Sequence, residues 1–306
     1  MIESVLHEHL LKQNKALEHY LASYGDQMAI FSQEAPGDTD EGWDTESQYG
    51  RIVFALDLTD DTERKFSGTL TVDVMCEEGV QLPEEMEPVV RGLIDGYFFS
   101  TEEITIAAQW SASNYFTQPT EKVIGVTLTF GLLAFPKQTT IEPDPIALFN
   151  RWTCDELNQA LNRALGKKDI HVIGYKDMEP AWKPTNDVPA IYWRLASIGP
   201  CNWIPDTYNC SWHTAEIHGH ILAPDKDTAT IITRMIDNIL TVKRRLIFED
   251  MSPLMVDRNI RVNLSSDSMR AGQITIDATY GLLRIMRAQN PIQDMNITER
   301  RNTYGN

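Results

Sequence analysis

Two stretches of this chain, 150 residues apart, carry one pattern. Val126-Thr-Leu-Thr-Phe130-Gly-Leu-Leu-Ala-Phe135 and Ile276-Asp-Ala-Thr-Tyr280-Gly-Leu-Leu-Arg-Ile285 each place an aromatic-Gly-Leu-Leu-x-apolar run at the end of a strand-like segment. Upstream, the helix-like Val89–Asp95 matches Ile231–Asp237 at an offset of 142, and the strand-like Leu70–Val74 matches Ile217–Ile221 at an offset of 147. The order of elements is the same in both halves, and offsets that drift by a few residues are what loop insertions and deletions produce. A chain of 306 residues with this internal period is therefore expected to be a diverged tandem duplication.

Each copy reads α-β-β-β-α-β-β. In the first, Ile2, Val5, Leu6, Leu10, Leu17, Leu21 and Tyr24 recur at helical spacing up to Gly25. Strands are expected at 27–33, 50–58, 68–75, 103–109 and 122–135, with a second helix opened by Pro83 and striped by Met86, Val89, Val90, Leu93 and Ile94. In the second copy, Thr153 with Glu156 reads as a capping box for a helix over 154–165. Strands near 170–175, 189–196 and 213–222 follow. A helix over 226–245 ends in Lys243, Arg244 and Arg245, where cations suit the dipole. Strands near 257–264 and 271–285 close the copy. The expected fold class is α+β: two similar domains, 1–140 and 141–287, each a mixed or antiparallel sheet flanked by two helices. A polar segment, 288–306, reads as a C-terminal arm.

Charge divides the copies. Residues 1–143 hold 25 acidic and 8 basic side chains, whereas residues 144–306 hold 19 of each, so the whole net charge of −17 belongs to the first half. Such a half repels phosphates, which argues against counterion-releasing DNA binding but permits DNA to pass without sticking. No apolar run approaches the roughly 20 residues of a membrane span, and the N-terminal segment lacks the basic and apolar regions of a signal peptide. Neither membrane embedding nor export by that route is expected. Cys76, Cys154, Cys201 and Cys210 are too few and too scattered for a disulfide framework and read as thiols.

Signatures of catalysis are missing: the chain has no Walker loop, G-x-G-x-x-G, G-x-S-x-G or H-E-x-x-H. No catalytic residue, metal or cofactor is expected. The nearest approach to a metal site is Cys201, Cys210, His213, His218 and His220. Their spacing matches no standard zinc pattern, and alternation with Ile217, Gly219 and Ile221 places His218 and His220 on a solvent or interface face. The acidic loop with Asp38, Asp40, Glu41, Asp44 and Glu46 resembles the first half of a calcium loop, but Tyr49 stands where the bidentate glutamate is required. It reads as a lumen or surface loop, mobile in isolation. Between 180 and 212 the chain is rich in tryptophan, tyrosine and proline. Trp182, Trp193, Trp203, Trp212 and Tyr208 are candidates for an interface, with core padding beneath long loops as the competing reading.

Each copy resembles the tail terminator, or tail completion, proteins of long-tailed bacteriophages. The resemblance lies in an N-terminal helix, strands, a helix carrying Glu85, Val89, Leu93 and Asp95-Gly96 in copy one and spanning Asp227 to Asn238 in copy two, then two closing strands. It is one of pattern and covers about 270 residues; a single copy is the family norm, so the duplication departs from it. The resemblance implies a structural virion protein of the tail and neck, assembled in the host cytoplasm, that is not an enzyme. It implies a homo-oligomeric ring capping the tail tube, with the tail tube protein and head-tail connector or neck proteins as partners. DNA would pass through the ring without specific binding. The charge split favours a hexameric ring with the two copies in different roles; a trimeric pseudo-hexamer is the other arrangement. Two further readings stand beside this one: a tail tube or tube-like hub protein of the same lineage, and a two-domain metal-binding protein or enzyme with residues 201–220 as its site.

Overall fold

A computed structural model describes residues 2–43, 48–120, 122–137, 143–166, 169–175 and 178–283. The expected arm at 288–306 and the domain boundary at 140 lie outside the described residues. The first half runs α1 (Ile2–Lys12), α2 (Asn14–Leu17), a small hairpin of β1 (Ser23–Tyr24) and β2 (Gln27–Met28), then β3 (Ile30–Ser32), β4 (Arg51–Asp61), β5 (Lys65–Glu77), α3 (Pro83–Ile94), β6 (Phe98–Ser100), β7 (Ile104–Gln118) and β8 (Val123–Pro136). The second runs α4 (Pro145–Trp152), a π turn at Thr153–Leu157, α5 (Asn158–Leu165), β9 (His171–Val172), β10 (Ala181–Trp182), β11 (Ala190–Pro200), β12 (Cys210–Leu222), α6 (Lys226–Lys243), β13 (Arg245–Ile247), β14 (Pro253–Val256), β15 (Arg261–Val262) and β16 (Ile274–Leu283).

The fold is α+β, built from two sheets of one topology. In the first half the order is β6-β7-β8-β5-β4-β3, and in the second it is β13-β14-β16-β12-β11-β9. In both, the last pair is parallel, β3 with β4 and β9 with β11, and every other neighbouring pair is antiparallel. The repeated aromatic-Gly-Leu-Leu runs occupy equivalent strands, β8 and β16. Register separates two of the sequence matches, however. Gly131 lies opposite Thr69 and Gly281 opposite Trp212, so equating the glycines equates partners 143 residues apart, four fewer than the match of Leu70–Val74 with Ile217–Ile221 requires. Both alignments keep each side chain on its face because four is an even number and the strand period is two.

Helices cover one face of each sheet. Leu6 and Leu10 of α1 and Met86, Val90 and Ile94 of α3 pack against Phe54, Val72, Leu128 and Phe130. Phe149 and Trp152 of α4 and Ile232, Ile236 and Leu240 of α6 pack against Ile191, Ile217, Ile276 and Tyr280. The alternation of buried and half-exposed residues along β5 and β12 is what a one-sided core demands.

Several expectations are corrected. The N-terminal helix stops at Lys12 and a separate turn of helix follows at Asn14–Leu17. The helix expected over 154–165 begins at Pro145. There Asp144 is the N-cap, accepting from the Ile146 N–H, and Pro145 sits where no donor is needed. Thr153 is not a cap at all: it is buried within the helix, donates its hydroxyl proton to the Phe149 carbonyl and accepts from Trp193 Nε1. The strand expected at 257–264 is reduced to β15, and β14 lies just before it; the two pair with different parts of β16 where the first half has the single strand β7.

Candidate functional site

The two halves meet along a built junction. β10, a two-residue strand inside the long β9–β11 connection, leaves its own sheet and pairs antiparallel with β6, the edge of the other one. The Ser100 N–H donates to the Pro180 carbonyl at 2.7 Å. Trp182 stacks on Phe98 with centroids 4.5 Å apart and an interplanar angle of 18°, and its Nε1–H donates to Ser100 Oγ at 3.0 Å. Lys183 Nζ donates to the Asp95 carbonyl at 2.6 Å. Around this strand, Phe98, Ala107 and Phe135 from the first half and Ile173, Trp182, Ala190, Tyr192 and Leu222 from the second form a separate apolar cluster. An edge strand left open invites pairing, and here the second half closes it.

The tip of the β4–β5 hairpin makes the second contact. Asp61 Oδ1 accepts from the backbone N–H groups of Glu63 and Arg64, a tight turn that aims Arg64 away from its own sheet. Arg64 is 2 % exposed. Its guanidinium lies 4.9 Å from the Phe135 ring centre and 5.3 Å from that of Tyr192, and Nη2 donates to the carbonyls of Met269 at 2.5 Å and Arg270 at 3.3 Å. Nε and Nη1 have no hydrogen-bond partner among the described residues. Burial without a contacting carboxylate lowers the Arg64 pKa to about 10. Beside it, His220 Nδ1 is 2.9 Å from the Ser268 carbonyl, which places the ring proton on Nδ1, and Arg64 Nη2 lies against the ring, 3.1 Å from Nδ1 and 3.2 Å from Nε2. Burial first, and then the Arg64 charge, push the His220 pKa down to about 3, so the ring is neutral.

The candidate residues divide among three environments. Trp182 is in the junction. Trp193 is core, packed on Phe149 at 4.9 Å, which corrects its assignment to an interface: its place in β11 turns it under α4. Trp203 and Tyr208, on the tip of the β11–β12 hairpin, are 60 % and 81 % exposed, and Trp212 is half-buried beside them. Gly281 matters here, because a Cβ would come within 2.6 Å of Cys210 Sγ and 3.5 Å of Trp212. His220 faces the junction, whereas His218 lies between Arg194 and Glu216 at 2.9 Å each. Among the described residues no three His, Cys, Asp or Glu side chains are gathered as metal ligands, and the four cysteines are free thiols.

The described part of the acidic loop is anchored rather than loose. Asp38 pairs with Arg51 at 2.9 Å and accepts from Tyr49 Oη at 3.3 Å; Trp43 packs on Tyr24 and donates to the Gly37 carbonyl. Asp38, the first acid of the calcium-like run, is thus already paired with a guanidinium. Asp40 caps its own turn by accepting from the Gly37 N–H, and Glu41 is exposed; Asp44 and Glu46 lie outside the described residues.

No family model matches this chain, and no curated protein matches it. None of its described helices is long and apolar enough to cross a membrane. Tyr192 and Trp182 belong to the aromatic-rich stretch 180–212, but neither Arg64 nor the pairing of β10 with β6 has a sequence pattern of its own. The one local signal is the basic pair Arg64-Lys65 at a hairpin turn in an acidic half.

Proposed function

We propose that this chain is a structural virion protein of a tailed bacteriophage, forming a ring at the head-proximal end of the tail tube. There it ends tube polymerisation and joins the tail to the head connector. The observation that carries this reading is the junction: two units of one topology associate side by side through an edge strand and a hairpin tip, which is lateral association of the kind a ring requires. The acidic first half supports a bore through which DNA slides without adhering. Tail tube protein on one face and connector or neck proteins on the other are the partners, the location is the virion, and the role needs neither catalysis nor a cofactor.

The charge split favours six chains with the copies in different roles. The junction supports halves alternating around the ring, as three chains would provide, and an assembled contact constrains geometry more directly than net charge does.

The test is to add the purified chain to tail tube protein during self-assembly. Tubes of arrested length with a ring at one end are expected in electron micrographs. Incorporation along the tube without arrest would overturn the terminator role and favour a tube or hub protein.

A further inference from the structure

Half one presents two surfaces to half two: the outer edge of β6, covered by β10, and the β4–β5 tip, which delivers Arg64. Because the halves share a topology, half two has the counterparts of both, and neither is covered among the described residues. β13 stands in the place of β6. The Phe248 N–H donates to the Ser252 carbonyl and the Val256 N–H to that of Arg244, so residues 244, 246 and 248 face β14 while Arg245 and Ile247 turn their peptide groups outward. Only the Ile247 carbonyl is met there, by Arg151 Nη2 at 2.8 Å. The β11–β12 tip stands in the place of the β4–β5 tip and carries the exposed Trp203 and Tyr208.

The occupant follows from the same equivalence. β10 lies in the β9–β11 connection, whose counterpart in half one is the β3–β4 connection. Its residues 34–43 hold Glu34, Asp38, Asp40 and Glu41 and no base, with Asp38 already paired to Arg51, whereas Arg244 leads into β13, which opens on Arg245 and is followed by Glu249, paired to Arg151, and Asp250. Aligned charges of opposite sign steer and register such a contact. We propose that successive copies of this chain join head to tail, residues 34–43 of one copy, held on its own half through Asp38 and Trp43, covering β13 of its neighbour while that neighbour's β11–β12 tip packs against the first copy's half one. This deepens the ring reading and rests on it only for closure. Repetition of a head-to-tail contact gives a ring if the rotation closes.

Sedimentation velocity and native mass spectrometry of the purified full chain test this. The wild type is expected to be a closed oligomer with alternating halves. Arg245→Glu should weaken association by about tenfold or more, and Glu41→Lys in the same chain should restore much of it. Trp203→Ser should also weaken it. Ile247→Pro removes only an outward N–H on an edge strand and should weaken assembly while leaving the melting temperature near that of wild type. A wild type that stays monomeric at its highest soluble concentration overturns the proposal, as does unchanged assembly of Arg245→Glu and Trp203→Ser. Oligomers that respond as expected but fail to arrest tubes would leave this contact standing and remove the terminator reading instead.

Discussion

Arg64 Nη2 of the first half lies 3.1 Å from Nδ1 and 3.2 Å from Nε2 of His220 in the second, a cation and a neutral imidazole held together out of water. His220 donates its one ring N–H to the Ser268 carbonyl, so the ring stays neutral beside the guanidinium, whose face rests on Phe135 and Tyr192 and whose Nη2 donates to the Met269 carbonyl. A protonated His220 would have no such place.

Stability is therefore expected to fall on acidification. The His220 pKa, ordinarily 6.5, is about 3 when folded, so between these values the unfolded chain binds the extra proton. Its contribution is complete above pH 6.5 and is lost as pH falls toward 3, by up to about 1.4 kcal/mol per pH unit. Denaturant titrations from pH 7 to pH 4 should show this slope, and His220→Gln should flatten it. An identical slope in the variant would assign the effect to other groups, such as His9, which is shifted in the same direction by burial.

Arg64→Ala is expected to destabilise the chain by about 2–4 kcal/mol, because it empties a packed site and leaves the Met269 carbonyl without its donor. Arg64→Met, which refills much of the volume and removes the two unpartnered nitrogens, should recover a large part of this. Urea unfolding of both variants gives the comparison.

Trp182→Ala should cost about 3–5 kcal/mol, and its effect should fall on the coupling of the halves, since Trp182 contributes both the stack on Phe98 and the bond to Ser100. In calorimetry a single transition in the wild type is expected to split into two. A lowered but still single transition would mean the halves are coupled mainly through Arg64.

Thr153→Val keeps the shape of a buried side chain but strands the Trp193 Nε1–H, which has Thr153 Oγ1 at 2.9 Å. A loss of about 1–3 kcal/mol is expected. Thermal melting measures it, with a red-shifted or broadened Trp193 fluorescence as an independent sign that the indole has lost its partner.

The elements that repeat a period were open to view in the order of residues alone. Alternation along 70–74 and 217–221 and the helical stripe at 86–94 report which side of an element is buried, and burial within a unit follows from the unit's own residues. That is why two α+β units with closing strands at 123–136 and 274–283 were legible. How the units meet emerged from long-range contacts. Ala181–Trp182 is too short to show a period, and Trp182, Trp193 and Trp203 look alike in sequence although one lies in the junction, one in the core and one in solvent. An aromatic ring or an arginine gains its free energy from whatever covers it, and the covering surface of Arg64 is about 156 residues away in His220, beyond the reach of any local pattern.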